Sequence, residues 1–511
     1  MKRLLTLSFL SVFFSAALAD WPQGAGPNGD FSTGDKHPVN WSVVNDNSIA
    51  WKITLPETGQ SPAILSDGKV FFSTLKQVEE DSTHGSDIVA WCCDAQTGEV
   101  LWKRGIPGQY PLQLSGAFTD SSAPPAVCDG ERVVFVNASG TLACFDLEGK
   151  QLWSRDFLSV GRTIPFLLDG KVVLTRQIYT PDSLGHFTHD NKNLSREMWT
   201  QLQAVDMKTG EVQWTSSCGL NMGCSILPQT LSDGRQVALV GRGGGHSPPE
   251  KPEGVSLVNL KYGTTVWTLP LEGFMSTQSN IIRNDKVHIF HKGSHLSVNA
   301  LTGEIENEVS IVKDIPTRRR SGDGWASTKE TLEEKKSRMI TQGSNLLVGK
   351  YHYFRSYTSP YLGRVNVDTG SVEYLELPLQ ISRVPGKEAQ LKWHVPPKSK
   401  TDPEMRLQAF AENDMKNSRG FVVFGDKRSK GNGWGHIAAP SPSVAGDYLY
   451  VPVMSGTVYV IRHGVDELNE KAVAAINDLG PAGQSWTRAS LSFSDGRIFA
   501  HTIRELICIG K

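Results

Sequence analysis

SSAPPAVCDGERVVFVNASGTLACFDLEGKQLW, residues 121–153, holds one complete structural unit. A Ser/Pro start leads into a short apolar strand, Asp129-Gly130 turns it, and two further strands and a Gly-bearing turn bring the chain to Trp153. Gly accepts a positive φ without a Cβ clash, so the Asp-Gly pair suits a two-residue hairpin. The unit therefore reads as four antiparallel strands. A sister copy runs through SPAILSDGKVFF from Ser61 and DIVAWCCDAQTGEVLW to Trp102.

Working outward, the pattern returns with Asp169-Gly170, Thr209-Gly210 and Trp214, then with Asp233-Gly234, Tyr262-Gly263 and Trp267, then with Asn284-Asp285 and Thr302-Gly303. Worn copies span Gly343-Ser344 to Thr369-Gly370 and start again at Ser441. The last, Ala489 to Ile509, has three strands only, while SIAWKITL at residues 48–55 is a lone Trp-bearing strand at the other end. Pairing the two ends removes a free sheet edge. The expected fold is all-β: a single β-propeller of eight blades, with seven as the alternative count, closed by the N-terminal strand in the C-terminal blade. Its expected bounds are residues 48–511, after a lead segment at 20–47.

Composition agrees with a folded chain. The 511 residues carry 52 basic and 53 acidic side chains and are 39% hydrophobic, which excludes a wholesale basic surface for nucleic acid and a disordered chain. Lys2 and Arg3, the apolar run from Leu4 to Phe14 and Ala17-Leu18-Ala19 predict a signal peptide over residues 1–19, cleaved after Ala19. The run is too short to span a bilayer. The mature protein is therefore expected to be a periplasmic or secreted monomer with no transmembrane segment. Export permits disulfides, the odd count of seven Cys leaves one thiol over, and Cys218 with Cys224 is the expected pair.

The alternation of Asp-Gly turn, apolar strand and xxDxxTGxxxW resembles the pyrroloquinoline-quinone-like (PQQ-like) propeller repeat. That repeat is shared by quinoprotein alcohol dehydrogenases and the outer-membrane assembly propeller lipoprotein. The opening WPQGAGPNGDF, residues 21–31, is similar to a segment that begins many secreted bacterial members. The resemblance implies the fold; function needs a site.

In each blade the Asp-Gly and Thr-Gly turns share one rim, so connections between strands two and three and between blades share the other. The long segments fall there: 76–87, 105–120, 178–200, 241–254, 312–335, 351–361 and 379–435. Long loops gathered on one face predict a binding face. Arg242 and His246 sit in a Gly- and Pro-rich stretch; YHYFRSYTSPY supplies Tyr351, His352, Arg355 and Tyr357; Trp434 and His436 open a later blade, and Arg488 the final one.

Two chemistries compete for that face. The leading expectation is a non-catalytic scaffold that binds a protein or glycan through Arg242, Arg355, Tyr357, Trp434, His436 and Arg488. The alternative is a glycan-active enzyme of the polysaccharide-lyase type, with His246, Tyr351 and His352 in acid-base roles and an Arg neutralising a uronate. His186, His189 and Asp190 have metal-ligand chemistry, although a loop of Asp, Asn and His is more often merely polar, and no metal is expected. KETLEEKKSR, residues 329–338, reads as a solvated helix with Glu and Lys at i,i+4 spacing.

A quinoprotein dehydrogenase, the second alternative, would require a stacking floor, calcium ligands and commonly a vicinal disulfide. Cys92-Cys93 ends a strand, so its two side chains should point to opposite faces of the sheet. No cofactor is therefore expected, and PQQ with calcium is disfavoured.

Overall fold

Asp67 (φ 50°) and Gly68 (φ 66°) both take left-handed backbone between the strands Ile64–Ser66 and Lys69–Leu75. Positive φ at both central positions is the geometry whose twist matches a right-handed hairpin. Ile88–Asp94 and Val100–Ile106 complete the first four-stranded antiparallel blade. The computed structural model describes residues 20–77, 84–109, 112–113, 121–156, 164–176, 200–220, 225–242, 251–274, 278–332, 341, 343–357, 359–393, 434 and 439–511. Within them the same blade recurs over 127–156, 166–215, 228–270, 279–310, 346–376 and 443–478. The eighth joins Ser492–Ser494, Arg497–His501 and Glu505–Ile509 to the N-terminal strand Ile49–Thr54, which pairs antiparallel with Glu505–Ile509. Eight blades form one closed ring.

The repeating Trp explains how neighbouring blades lock. Trp51 donates its indole N–H to the Ala95 carbonyl of blade 1 (3.1 Å), Trp102 to Leu147 of blade 2 (3.0 Å), Trp153 to Met207 of blade 3 (3.1 Å) and Trp267 to Ala300 of blade 5 (2.8 Å). Each ring lies on the turn glycine of the next blade, as Trp214 does on Gly263. At Gly98 an added Cβ would meet the Trp51 ring at 2.8 Å, so only glycine permits this approach.

From blade 5 onward the device changes. Its outer strand, Ile305–Ser310, has no Trp. Blades 5 and 6 meet through Phe290, His295, His352 and Phe354, and blade 6 is tied to blade 7 by Arg364, which donates to the carbonyls of Val465 (2.7 Å) and Asp466 (2.8 Å) and pairs with Glu373. Between blades 7 and 8 the lead segment is the wedge. Trp41 donates to the Asp478 carbonyl (3.1 Å), Ser42 to its carboxylate (2.6 Å), and Tyr450 to the Pro38 carbonyl (3.1 Å).

Three sequence expectations are corrected. Residues 351–361 are not a long loop: Tyr351–Arg355 and Tyr361–Asn366 are the two middle strands of blade 6. The insertion 312–335 does not rise over the mouth. It folds as a hairpin, Ile315–Ser321 with Gly324–Glu330, which pairs parallel to Val372–Glu376 and widens blade 6 to six strands. The helix expected from Lys329 is displaced at its start, because Lys329 and Glu330 end that strand; residues 333–338 lie outside the described part. The insertion from 379 begins as another hairpin, Gln380–Ser382 with Gln390–Lys392.

Candidate binding face

The lead segment decides which end of the axis is accessible. Trp21 bridges Leu65 of blade 1, the Pro22 carbonyl accepts from Cys128 N–H of blade 2 (2.8 Å), and Gln23 Oε1 accepts from Leu167 N–H of blade 3 (2.7 Å). These partners sit one or two residues before the Asp-Gly turns of their innermost strands. The chain then dips further. A Cβ on Gly24 would fall 2.6 Å from Pro125 and 2.7 Å from Ile164, and one on Gly29 3.2 Å from Pro228 of blade 4. It returns through Phe31, whose carbonyl accepts from Val444 N–H of blade 7 (2.8 Å). A segment touching the innermost strands of blades 1, 2, 3, 4 and 7 must cross the axis. Trp21, Ala25 and Phe31 are accordingly buried, and the hub is filled from the short-turn side.

The opposite end is built from the connections. There Arg488, half-buried, donates to Gln60 Oε1, and Gln60 N–H donates to Ser122 Oγ (3.2 Å). Ser73 Oγ reaches the Ser122 carbonyl (3.3 Å) and lies 3.2 Å from Ser61 Oγ, while His501 Nδ1–H donates to the Ser61 carbonyl (2.7 Å). Hydroxyls, an amide and one guanidinium thus stitch blades 8, 1 and 2 together at the mouth. His501 is held neutral, its pKa pushed down to about 4 by burial.

The expected site residues scatter. Tyr351 starts its strand at the short-turn end and Arg355 finishes it at the mouth, about 13 Å apart at the usual strand rise. Tyr351 is 6% exposed, with the Arg364 guanidinium stacked 3.9 Å over its ring. Arg355 is buried and gives its guanidinium to the carbonyls of Pro440 and Pro452 of blade 7 (2.9 Å each); burial lowers its pKa to about 10. Arg242 ends a strand of blade 4 and donates to Ser256 (3.1 Å), Thr268 (2.9 Å) and the Lys251 carbonyl (2.9 Å). Trp434 is buried against the Tyr459 ring, whereas Tyr357 is half-exposed at the mouth. His246, His436, His186, His189, Asp190 and Cys224 lie outside the described residues; Cys218 is buried with Phe166 and Ala238.

His352 belongs to a group the sequence reading did not assemble. Its Nδ1 accepts from His295 Nε2–H (3.0 Å), and its Nε2–H donates to Asn345 Oδ1 (2.8 Å). His288 stacks on His295 with ring centres 5.5 Å apart, and Phe290 lies against both His295 and His352. Burial, with neighbouring positive charge second, lowers all three: His288 to about 4, His295 to about 3, and His352 well below the usual value. The signal was present in VHIFHKGSHL, where His288 and Phe290 share a strand face with His295 on the neighbouring strand, but only the fold shows that His352 meets them.

Against known proteins, the family model described as outer membrane protein assembly factor BamB matches residues 85–373, more than half of the chain. The chain belongs to that family. No curated protein matches it. Among solved structures, quinohemoprotein alcohol dehydrogenase ADHIIG from Pseudomonas putida HK5 is 12% identical, with TM-score 0.52, covering 96% of this chain and 80% of the other. The quinohemoprotein alcohol dehydrogenase from Comamonas testosteroni gives the same values. BamB from Moraxella catarrhalis is 12% identical with TM-score 0.48, covering 90% of this chain and 96% of that one. At 12% identity the two dehydrogenase structures share the fold with this chain.

The dehydrogenase neighbours prompt a test of fit for a quinone and its calcium. Cys92 and Cys93 are free buried thiols pointing into different layers, Cys92 beside Phe71 and Ala126 and Cys93 beside Val70 and Trp91. Among the described residues no group of three or more His, Cys, Asp or Glu is disposed to hold a metal, and the mouth presents Arg488, Gln60 and serines rather than a carboxylate set. No helix among the described residues is long and apolar enough to cross a membrane.

Proposed function

We propose that this propeller is an exported binding scaffold that engages a partner protein at the mouth opposite the filled hub. The observation that carries this reading is the lead segment: it occupies the short-turn side of the axis, so a ligand has the connection-built end to approach. Membership of a family named for outer-membrane assembly supports a protein partner ahead of a glycan. Arg242, Tyr351, His352 and Arg355 are committed to internal contacts, which weighs against the lyase alternative. The scaffold works without a quinone in this reading.

A photo-crosslinking residue at Tyr357, on the mouth, is expected to give a discrete adduct with one envelope protein, and one at Asp447, on the short-turn rim, none. Adducts from Asp447 alone would reverse the assignment of faces. Release of unsaturated uronate product from acidic polysaccharides by the purified protein, abolished by Tyr351→Phe, would replace the scaffold with an enzyme.

A further inference from the structure

The hairpin added to blade 6 leaves an unusual edge. Ser321 and Gly324 flank the two-residue turn Gly322-Asp323, with Gly322 at φ 56°. In such a hairpin the flanking pair exchanges hydrogen bonds, and bonded and non-bonded pairs then alternate. Trp325, Ser327 and Lys329 fall in the non-bonded pairs, so their N–H and C=O groups point away from the hairpin. Gly324–Glu330 is the outermost strand of its sheet, and no strand lies beyond it among the described residues.

The side chains over this edge are those of a recognition surface. Half-buried Trp325 meets half-buried Trp393 edge-on at 5.7 Å, and the Arg320 guanidinium lies 5.7 Å over the Trp393 ring. Leu391, 40% exposed and two residues before Trp393, extends the apolar patch. Among the described residues the Arg320 guanidinium has only the fully exposed Asp323 at 3.8 Å as a carboxylate contact, its backbone N–H donating to Glu376 Oε2 (2.8 Å), and exposed Lys329 has no ion pair. Tryptophan and arginine beside apolar surface is the composition of binding hot spots, and both of these hairpins are additions to the four-strand repeat.

We propose that this edge is a second binding surface, distinct from the mouth, which takes an extended acidic-apolar segment of a partner protein as a further strand of blade 6. Outward backbone groups of Trp325, Ser327 and Lys329 supply the ladder. The side-chain period of two places an apolar residue of an antiparallel segment over Trp325 and, four positions away, a carboxylate opposite Lys329.

The test uses the whole protein and a blocked heptapeptide of threonines carrying glutamate at its second and valine at its sixth position, followed by tryptophan fluorescence. Saturable quenching is expected. Ser327→Pro removes an outward N–H without touching the bond to the inner strand, and should weaken binding about tenfold or more, while Ser327→Ala leaves it within about twofold. Lys329→Glu should weaken it about fivefold, an effect lost at high salt. An unchanged melting transition shows that each variant is folded. Quenching that does not saturate, or that survives Ser327→Pro, overturns the proposal. So does a concentration-dependent dimer abolished by Ser327→Pro, which would make a second copy the occupant. Preferential saturation by a uronate oligosaccharide, indifferent to that proline, would overturn it in favour of a glycan.

Discussion

Acidification should loosen the joint between blades 5 and 6 at a pH where carboxylates remain charged. His295 donates to His352 and His352 to Asn345, a chain in which each ring has its one proton committed. A further proton on His352 would set N–H against N–H in a space closed by Phe290. In the unfolded chain each imidazole titrates near the ordinary value of about 6.5. In the folded protein His288 sits at about 4, His295 at about 3 and His501 at about 4. A depressed histidine gives stability that is complete above the unfolded value and is lost as pH falls below it, because the unfolded chain takes the proton first.

From pH 7.5 to pH 5 each of these groups loses about 2 kcal/mol, and three together on the order of 6 kcal/mol, with His352 adding in the same direction. That is a large share of the ~5–15 kcal/mol typical of a folded protein. Urea midpoints followed by tryptophan fluorescence should fall from about pH 6.5 downward, with proton uptake on unfolding that approaches one per buried imidazole near pH 5. A midpoint flat between pH 7 and pH 5, or unfolding without proton uptake in that window, would refute the reasoning.

Other consequences follow from single contacts. Gly98→Ala should cost about 1–3 kcal/mol, seen as a lowered urea midpoint, because its Cβ meets the Trp51 ring at 2.8 Å on a φ of 76°. Arg355→Met should destabilise by about 3–5 kcal/mol through the orphaned Pro440 and Pro452 carbonyls, yet leave mouth crosslinking from Tyr357 intact in the folded fraction. Cys92, Cys93, Cys144 and Cys508, all held near pKa 12 by burial, should be inert to a thiol reagent at pH 8 in the native protein and react fully in urea.

The repeat was legible because its turns and tryptophans are tied to backbone requirements: Asp67-Gly68 must take positive φ, and Gly98 must admit Trp51. Blade 6 was misread for a physical reason. In YHYFR, His352 and Phe354 face blade 5 while Tyr351, Tyr353 and Arg355 face blade 7. Both faces are buried, so neither shows the plain apolar alternation of a half-exposed strand, and polar residues satisfied across a blade junction look like loop chemistry. The candidate site was less legible still. Arg242 and Arg355 are marked in sequence by charge, but the carbonyls that Arg355 serves, those of Pro440 and Pro452, lie 85 and 97 positions away, and the Lys251 carbonyl that Arg242 serves lies nine positions on across a turn of the blade. Trp325 and Trp393 are separated by the whole of blade 6 and meet only because each precedes or follows it as an added hairpin.

The filled hub also bears on how the molecule is made. Residues 21–29 reach blades 1 to 4, so the first half of the ring can gather around its own leading peptide while synthesis continues. Ile49–Thr54, in contrast, touches blade 1 through Trp51 but has no strand to pair with until Glu505–Ile509 exists. The nascent molecule is therefore a centred but open arc with a waiting strand, and truncation anywhere before Glu505 leaves that strand exposed to whatever edge it next encounters.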